Sequence, residues 1–295
     1  MTGTFPEGLI LLPYLQQIDF RYGEMEGSLP AYLDRWKNLV RIGLEYHLFT
    51  GAFPESWFES RSWQSLIVPG NQIHGKVSSN FSKLEDVVLL DMGINKLTGS
   101  IPSEIGNMVN LYFLIVDSNG LSGSIPNTIG RLSNVLSLKF HGNSFTGTIP
   151  EEVGDCTSLL DLHLGGNLLT GRLPEHLWDM SNLYTLRVDE NMLTGTISGK
   201  LSKMARLYEF DMKNNQLTGT IPFRLGNTDI TIISASGNKF NGTVAQDLCD
   251  LVAEGQITDL KLDCAATSGE VPEIICPEDC CTLCCNRDGE DCVDL

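Results

Sequence analysis

The chain has 295 residues, 42% of them hydrophobic, which is enough for a sizeable core and unlike a disordered polypeptide. Its formal net charge is −17 with a pI near 4.6, so its surface repels a phosphate backbone and argues against nucleic acid as a partner. No run approaches the roughly 18 apolar residues needed to cross a membrane.

The first element already lies inside a repeat: Thr2-Gly3-Thr4-Phe5-Pro6 is a TGxxP block. The expectation is a truncated N terminus, with no cysteine-paired N-terminal cap. The apolar run Gly8 to Leu12 ends at Pro13, and no basic segment precedes an apolar one, so no signal peptide is read. Given that start, the missing leader says little about location.

From there a block of eight residues returns along the chain. It reads NKLTGSIP at 95–102, NGLSGSIP at 119–126, NSFTGTIP at 143–150, NLLTGRLP at 167–174, NMLTGTIS at 191–198 and NQLTGTIP at 215–222. Its glycine recurs every 24 residues from Gly3 through Gly27, Gly51, Gly75, Gly99, Gly123, Gly147, Gly171 and Gly195 to Gly219. Gly242 comes one residue early and Gly269 three late, so the period loosens towards the end. Upstream of each asparagine stands L-x-x-L-x-L-x-x-N, as in Leu159, Leu162, Leu164 and Asn167. Two leucines one residue apart point the same way from a strand, and a single such strand buries its apolar face only by stacking on its copies. The asparagines Asn71, Asn95, Asn119, Asn143, Asn167, Asn191, Asn215 and Asn238 are expected to form an internal ladder bonding backbone groups that the turn leaves unpaired. Gly23, His47 and Ala265 stand in their place in the less regular end repeats.

The pattern and period resemble the leucine-rich-repeat family, and the LTGxIP block resembles its plant-type class, as in plant receptor ectodomains. The resemblance spans nearly the whole chain. It implies an α/β solenoid: a right-handed superhelix with a parallel concave β-sheet, one short strand per repeat. Eleven strand cores are expected, at 18–20, 42–44, 66–68, 90–92, 114–116, 138–140, 162–164, 186–188, 210–212, 233–235 and 260–262. The array occupies residues 1–245, and 246–295 form the last repeat plus an acidic, cysteine-rich C-terminal cap.

Residues between and beside the core leucines should face solvent on the concave sheet, where a ligand would bind. Two features stand out there. Ile67, Leu89, Phe113 and Ile115 make an apolar patch on a surface that need not be apolar, which marks either a contact site or a region covered by a flanking segment. Beside it run Lys139, His163 and Arg187 at one row, with His141 diagonal to them and Asp161, Asp189, Glu209 and Asp211 around them. That basic row either docks an anionic group of a ligand or pairs with its own acids across strands. Together they outline a hot region over strands three to nine, an apolar anchor with a charged selector.

The C terminus holds eight of the nine cysteines, namely Cys249, Cys264, Cys276, Cys280, Cys281, Cys284, Cys285 and Cys292. An even, dense set reads as disulfides in an oxidising compartment; the rival, a metal cluster around the CxxC at Cys281, has no histidine nearby and no zinc-module spacing. The run ICPEDCCTLCC resembles the C-terminal caps of leucine-rich-repeat proteins from diatoms and related algae. Residues 246–295 carry 13 acidic side chains against Lys261 and Arg287, so most of the net charge belongs there. The acidic stretch 286–291 lacks the length and closing glutamate of a calcium loop and reads as a solvated tail. Cys156 stands apart and reads as a reduced core thiol. Two sequons, Asn80-Phe81-Ser82 and Asn241-Gly242-Thr243, fall on convex or lateral segments and are expected to be glycosylated.

His163 has acidic neighbours but no serine or cysteine nucleophile, and the P-loop, G-x-G-x-x-G and H-E-x-x-H signatures are absent; the chain is read as a non-enzyme without cofactor or metal. The expected function is a secreted or cell-surface, receptor-like glycoprotein that binds a protein or peptide partner on the concave sheet. A cell-wall glycan is a further candidate ligand, and membrane attachment would come only from a region absent from this chain. One alternative is ice or polysaccharide binding by a convex hydroxyl ladder of Ser100, Ser124, Thr148, Thr196, Thr220 and Thr243. Another is an intracellular scaffold.

Overall fold

The structure is a computed structural model that describes residues 2–294 except 13, 60–61, 222–227, 264–273, 276–279, 281–282 and 286–291. The chain divides into two compact units, Met1–Phe145 and Thr146–Leu295.

In the first unit the L-x-L segments form parallel strands Gln17–Arg21, Arg41–Glu45, Ser65–Ile67, Leu89–Asp91, Phe113–Ile115 and Ser137–Lys139. The register is a strict repeat offset, so Leu66, Leu90, Leu114 and Leu138 stand in one fully buried column. A second parallel ladder carries the TG blocks: Thr2–Thr4, Glu24–Ser28, Leu48–Gly51, Gln72–Lys76, Lys96–Gly99 and Gly120–Gly123. The TG glycine sits at positive φ in each copy, +78° at Gly99, where a side chain would be strained. Between the ladders the xP step opens a single 3-10 turn, as in Ser103–Asn107 after Pro102, whose carbonyl accepts from the Ile105 amide at 3.1 Å. Proline's fixed φ suits that entry, and the turns Ser103–Asn107 and Asn127–Arg131 bury Ile105 and Ile129 inward.

The second unit repeats this plan. Its L-x-L strands are Asp161–His163, Thr185–Arg187, Glu209–Asp211, Ile232–Ser234 and Asp259–Leu262, all parallel. Its TG ladder runs Leu168–Gly171, Met192–Gly195, Gln216–Gly219 and Lys239–Phe240. All eleven expected L-x-L strands are therefore present, six in one unit and five in the other. Both units are leucine-rich-repeat coils of two parallel ladders joined by 3-10 turns.

The asparagine ladder has the expected form. Asn215 Nδ2 donates to the carbonyls of Val188 at 2.9 Å, Met212 at 3.1 Å and Lys213 at 3.2 Å, while its Oδ1 accepts from the Leu193 amide at 2.9 Å. Asn71, Asn95, Asn119, Asn191 and Asn238 repeat the pattern. His47 takes over the accepting half of this role where asparagine is missing: its Nδ1 accepts from the Met25 amide at 3.3 Å, as Asn71 Oδ1 accepts from the Phe49 amide. Burial pushes the His47 pKa down, which keeps that nitrogen available as an acceptor. At the other end, Asp263 closes the ladder by accepting from the amides of Gly237 at 2.8 Å and Asn238 at 3.0 Å.

The C-terminal segment departs from the repeat. The helix Gln246–Ala253 replaces the 3-10 turn, and Cys249 on it is disulfide-bonded to Cys280. Two strands that the repeat pattern does not foretell extend the sheet: Leu283–Cys285 lies parallel to Asp259–Leu262, and Cys292–Asp294 runs antiparallel to Leu283–Cys285. Cys264, Cys276 and Cys281, and the acidic stretch 286–291, lie outside the described residues, as do the side chains of Cys284, Cys285 and Cys292. Cys156 is a buried thiol outside any disulfide, and burial pushes its pKa up to about 12, so it is not a thiolate at neutral pH.

Candidate functional site

Strand pleating places residues flanking the core leucines on the outer face of the L-x-L sheet. In the first unit two rows matter. One runs Ser65, Leu89, Phe113 and Ser137; the next runs Ile67, Asp91, Ile115 and Lys139. Leu89 and Phe113 are register partners on adjacent strands, so the fold places these two of the four expected residues side by side. Phe113 is 38% exposed, Leu89 and Ile115 are half-buried, and Ile67 is only 5% exposed. The patch is a frame rather than a continuous stripe, because Asp91 sits between Ile67 and Ile115.

Asp91 is not among the expected site residues. The apolar frame desolvates its carboxylate and, with the nearby Asp117 charge, pushes its pKa up to about 6. Its Oδ1 accepts from the Gly93 amide at 3.0 Å, and Lys139 in the same row moderates the upward shift. Asp117 is nearly buried; it accepts from the Ser118 hydroxyl at 3.2 Å and lies 3.5 Å from His141 Nε2. Gly93 admits this carboxylate: a Cβ there would stand 2.6 Å from Asp117 Oδ1. The usable signal is an acid in the middle row bracketed by isoleucines one repeat either side.

In the second unit the corresponding rows are Asp161, Thr185, Glu209 and Ile232, and His163, Arg187, Asp211 and Ser234. Arg187 is held by Glu209 in a two-point fork, Nε to Oε1 at 2.8 Å and Nη2 to Oε2 at 2.8 Å. This is the cross-strand self-pairing alternative, and a ligand anion at Arg187 has to compete with it. Asp211 accepts from the Lys213 amide, and burial together with the Asp189 charge pushes its pKa up to about 6. Burial also raises Asp189, whose carboxylate leans over Gly165, where a Cβ would stand 2.3 Å from Oδ1. The same device, a glycine that admits the next repeat's aspartate, thus appears in each unit.

Stacked tyrosines are a feature that the sequence reading misses. Tyr184 and Tyr208 lie parallel at 5.0 Å beside the second unit's sheet, and Tyr22 and Tyr46 at 5.1 Å in the first. The 24-residue spacing of each pair is the signal that identifies them. Tyr22 and Tyr46 adopt φ of +54° and +56°, a left-handed conformation rare for bulky side chains. Among the described residues no group of three metal-ligating side chains occurs, and no helix is long and apolar enough to cross a membrane.

A Leucine Rich Repeat family model matches residues 206–228. No curated protein sequence matches the chain. The chain is similar in structure to the Arabidopsis receptor kinase HAESA, solved in complex with the peptide hormone IDA and the co-receptor SERK1, with a TM-score of 0.79 and 27% identity over 100% of this chain and 46% of that one. It is also similar to the leucine-rich-repeat ectodomain of GASSHO1/SCHENGEN3 from Arabidopsis thaliana, in complex with CASPARIAN STRIP INTEGRITY FACTOR 2, with a TM-score of 0.74 and 26% identity over 99% of this chain and 41% of that one. A plant ice-binding protein shares the fold, with a TM-score of 0.62 and 24% identity over 83% of this chain and 71% of its own. The chain spans less than half the length of the two receptor chains.

Proposed function

We propose that this chain is a non-catalytic, extracellular recognition module that binds a peptide or protein on the outer face of its L-x-L sheet. The observation that carries the reading is the half-exposed cluster of Leu89, Phe113 and Ile115 around Asp91, on a face where nothing in the fold requires apolar side chains. Aromatic and aliphatic groups at the centre of a surface, with charged residues around them, are the usual composition of an interface hot region. The peptide complexes of the structurally similar receptors support the same reading, as does a disulfide at the C-terminal end. The frame selects an apolar ligand group, and Asp91 with Asp117 favours a neighbouring cationic one.

The test is a peptide-library selection on the secreted protein, followed by calorimetry of the selected peptide. The double substitution Phe113→Ala with Ile115→Ala should weaken binding by about tenfold or more. Unchanged affinity in a variant with native circular dichroism excludes this face.

The hydroxyl ladder supports a second reading, ice or polysaccharide binding, because Thr148, Thr196, Thr220 and Thr243 are exposed at one repeat position of the second unit. Arg172 breaks that row, and in the neighbouring column Thr170, Thr194 and Thr218 donate their hydroxyls to the backbone carbonyls of Gly147, Gly171 and Gly195. That bonding gives the recurring threonine a structural reason. Thermal hysteresis or pull-down on insoluble polysaccharide, with native binding of the selected peptide absent, would favour this second reading.

A further inference from the structure

The two sequons are equal in the sequence and unequal in the fold. Asn80 begins a triad that the 3-10 turn Ser79–Lys83 absorbs completely. Its backbone amide donates to the Ser78 hydroxyl at 3.2 Å, and its side-chain Nδ2 donates to Glu55 Oε2 at 2.9 Å. The next residue, Phe81, is 1% exposed, with its ring edge-on to Phe53 at 5.1 Å and Phe58 at 4.8 Å. The third, Ser82, donates its hydroxyl to the Ser79 carbonyl at 2.8 Å. The nitrogen that would carry a sugar and the hydroxyl that completes the motif are both engaged, and opening the triad means withdrawing Phe81 from a packed aromatic cluster.

Asn241 differs at its side chain, although its sequon too is held by backbone pairing, Gly242–Thr243 lying parallel to Ile274–Ile275. It connects two short strands, Lys239–Phe240 of the TG ladder and Gly242–Thr243. Its backbone is anchored by the bond from its amide to the Gly219 carbonyl at 2.9 Å, while its side chain is exposed and makes no hydrogen bond among the described residues. Gly242 follows at a φ of +92° and adds no bulk, and Thr243 is exposed.

We infer that Asn241, and not Asn80, is the N-glycosylation site of this chain. The modification transfers an oligosaccharide from a lipid-linked oligosaccharide pyrophosphate. A bond forms between Asn241 Nδ2 and the anomeric carbon of the first sugar, the bond from that carbon to the pyrophosphate oxygen breaks, the lipid pyrophosphate leaves, and the amide gives up one proton. The glycan would stand on the TG-ladder side of the second unit, beside Thr220 and Thr243, and would cover that end of the hydroxyl ladder while leaving the L-x-L face open. The inference rests on the extracellular reading for its occurrence in nature.

The experiment removes that dependence by fusing a secretory leader to the chain and expressing it in a eukaryotic host. Secreted and cell-retained protein are both digested, treated with an amide-cleaving glycosidase and analysed by mass spectrometry for asparagine-to-aspartate conversion. Conversion should appear at Asn241 and stay a trace at Asn80. The electrophoretic shift of one glycan should vanish in Asn241→Gln and in Thr243→Ala and persist in Asn80→Gln. Conversion at Asn80 equal to that at Asn241, or a bare Asn241, overturns the inference. Because the leader imposes the compartment, neither result bears on whether the L-x-L face binds peptide, which the calorimetry reads separately.

Discussion

Asp91 shows how the titration of a single side chain reports on the apolar groups packed around it. Its carboxyl is raised to about 6 in the fold from an ordinary value of 3.8. The folded state therefore holds its proton more tightly than the unfolded chain. The stabilisation from protonated Asp91 is complete below about pH 4 and is lost as the pH rises through about 6. At pH 7.5 the ionised carboxylate sits against Ile67, Leu89 and Ile115 and weakens the fold. Asp91→Asn keeps an oxygen for the Gly93 amide and removes the charge. It should raise stability at pH 7.5 by about 1–2 kcal/mol, with the gain shrinking to nothing near pH 4. Urea denaturation of both proteins across that range checks it, and a gain independent of pH would show that desolvation is not the cause. The sequence places Asp91 in the middle solvent row but cannot reveal the shift, because the cause is the depth at which Ile67 and Ile115 pack, and depth is not periodic.

At the scale of the element, the repeat unit is held by a side chain acting as backbone. The two Nδ2 hydrogens of Asn215 are shared among three carbonyls and its Oδ1 accepts one amide, all main-chain groups that the turn would otherwise leave buried and unpaired. Asn215→Ala should cost about 2–4 kcal/mol, because each orphaned buried group costs about 1 kcal/mol or more. Hydrogen exchange should show the loss first at the Leu193 amide and at strands Glu209–Asp211 and Gln216–Gly219. Unchanged protection there would mean that water replaces the asparagine. Elements of this kind are legible in the sequence because their cause is local and recurs every 24 residues. His47 is legible only as a missing asparagine: that an imidazole nitrogen fills the same acceptor place depends on one ring orientation. The C-terminal strands Leu283–Cys285 and Cys292–Asp294 are not legible, since they carry no L-x-L repeat and are defined by pairing alone. The candidate site divides the same way. Which residues share a row follows from the period, whereas the Arg187–Glu209 fork depends on rotamers that the period does not specify.

For the molecule as a whole, the decisive quantity is where the charge lies. Of the net −17, the last fifty residues carry thirteen acidic groups and two basic ones, so the repeats before them are close to balanced. Self-repulsion of like charges opposes compaction and is screened over about 10 Å at 0.1 M salt. The described part of the C-terminal segment includes Asp247 and Asp250 on the helix Gln246–Ala253 and Asp259 and Lys261 on the last L-x-L strand, where Lys261 pairs with Asp259 at 2.8 Å. One cation is thus engaged within a strongly acidic region. Raising sodium chloride from low to physiological concentration should stabilise this segment more than the repeats. In hydrogen exchange, amides of Gln246–Ala253 should gain protection with salt, while those of strands Phe113–Ile115 and Thr185–Arg187 should change little. The effect should saturate once the screening length falls to about 8 Å, near 0.15 M, as expected for charges spaced along one surface. Equal gains in both regions would point to a general salting effect on apolar burial. A loss of protection in the helix would mean that attraction, not repulsion, dominates the acidic segment, with ion pairs of the Lys261–Asp259 kind holding it together.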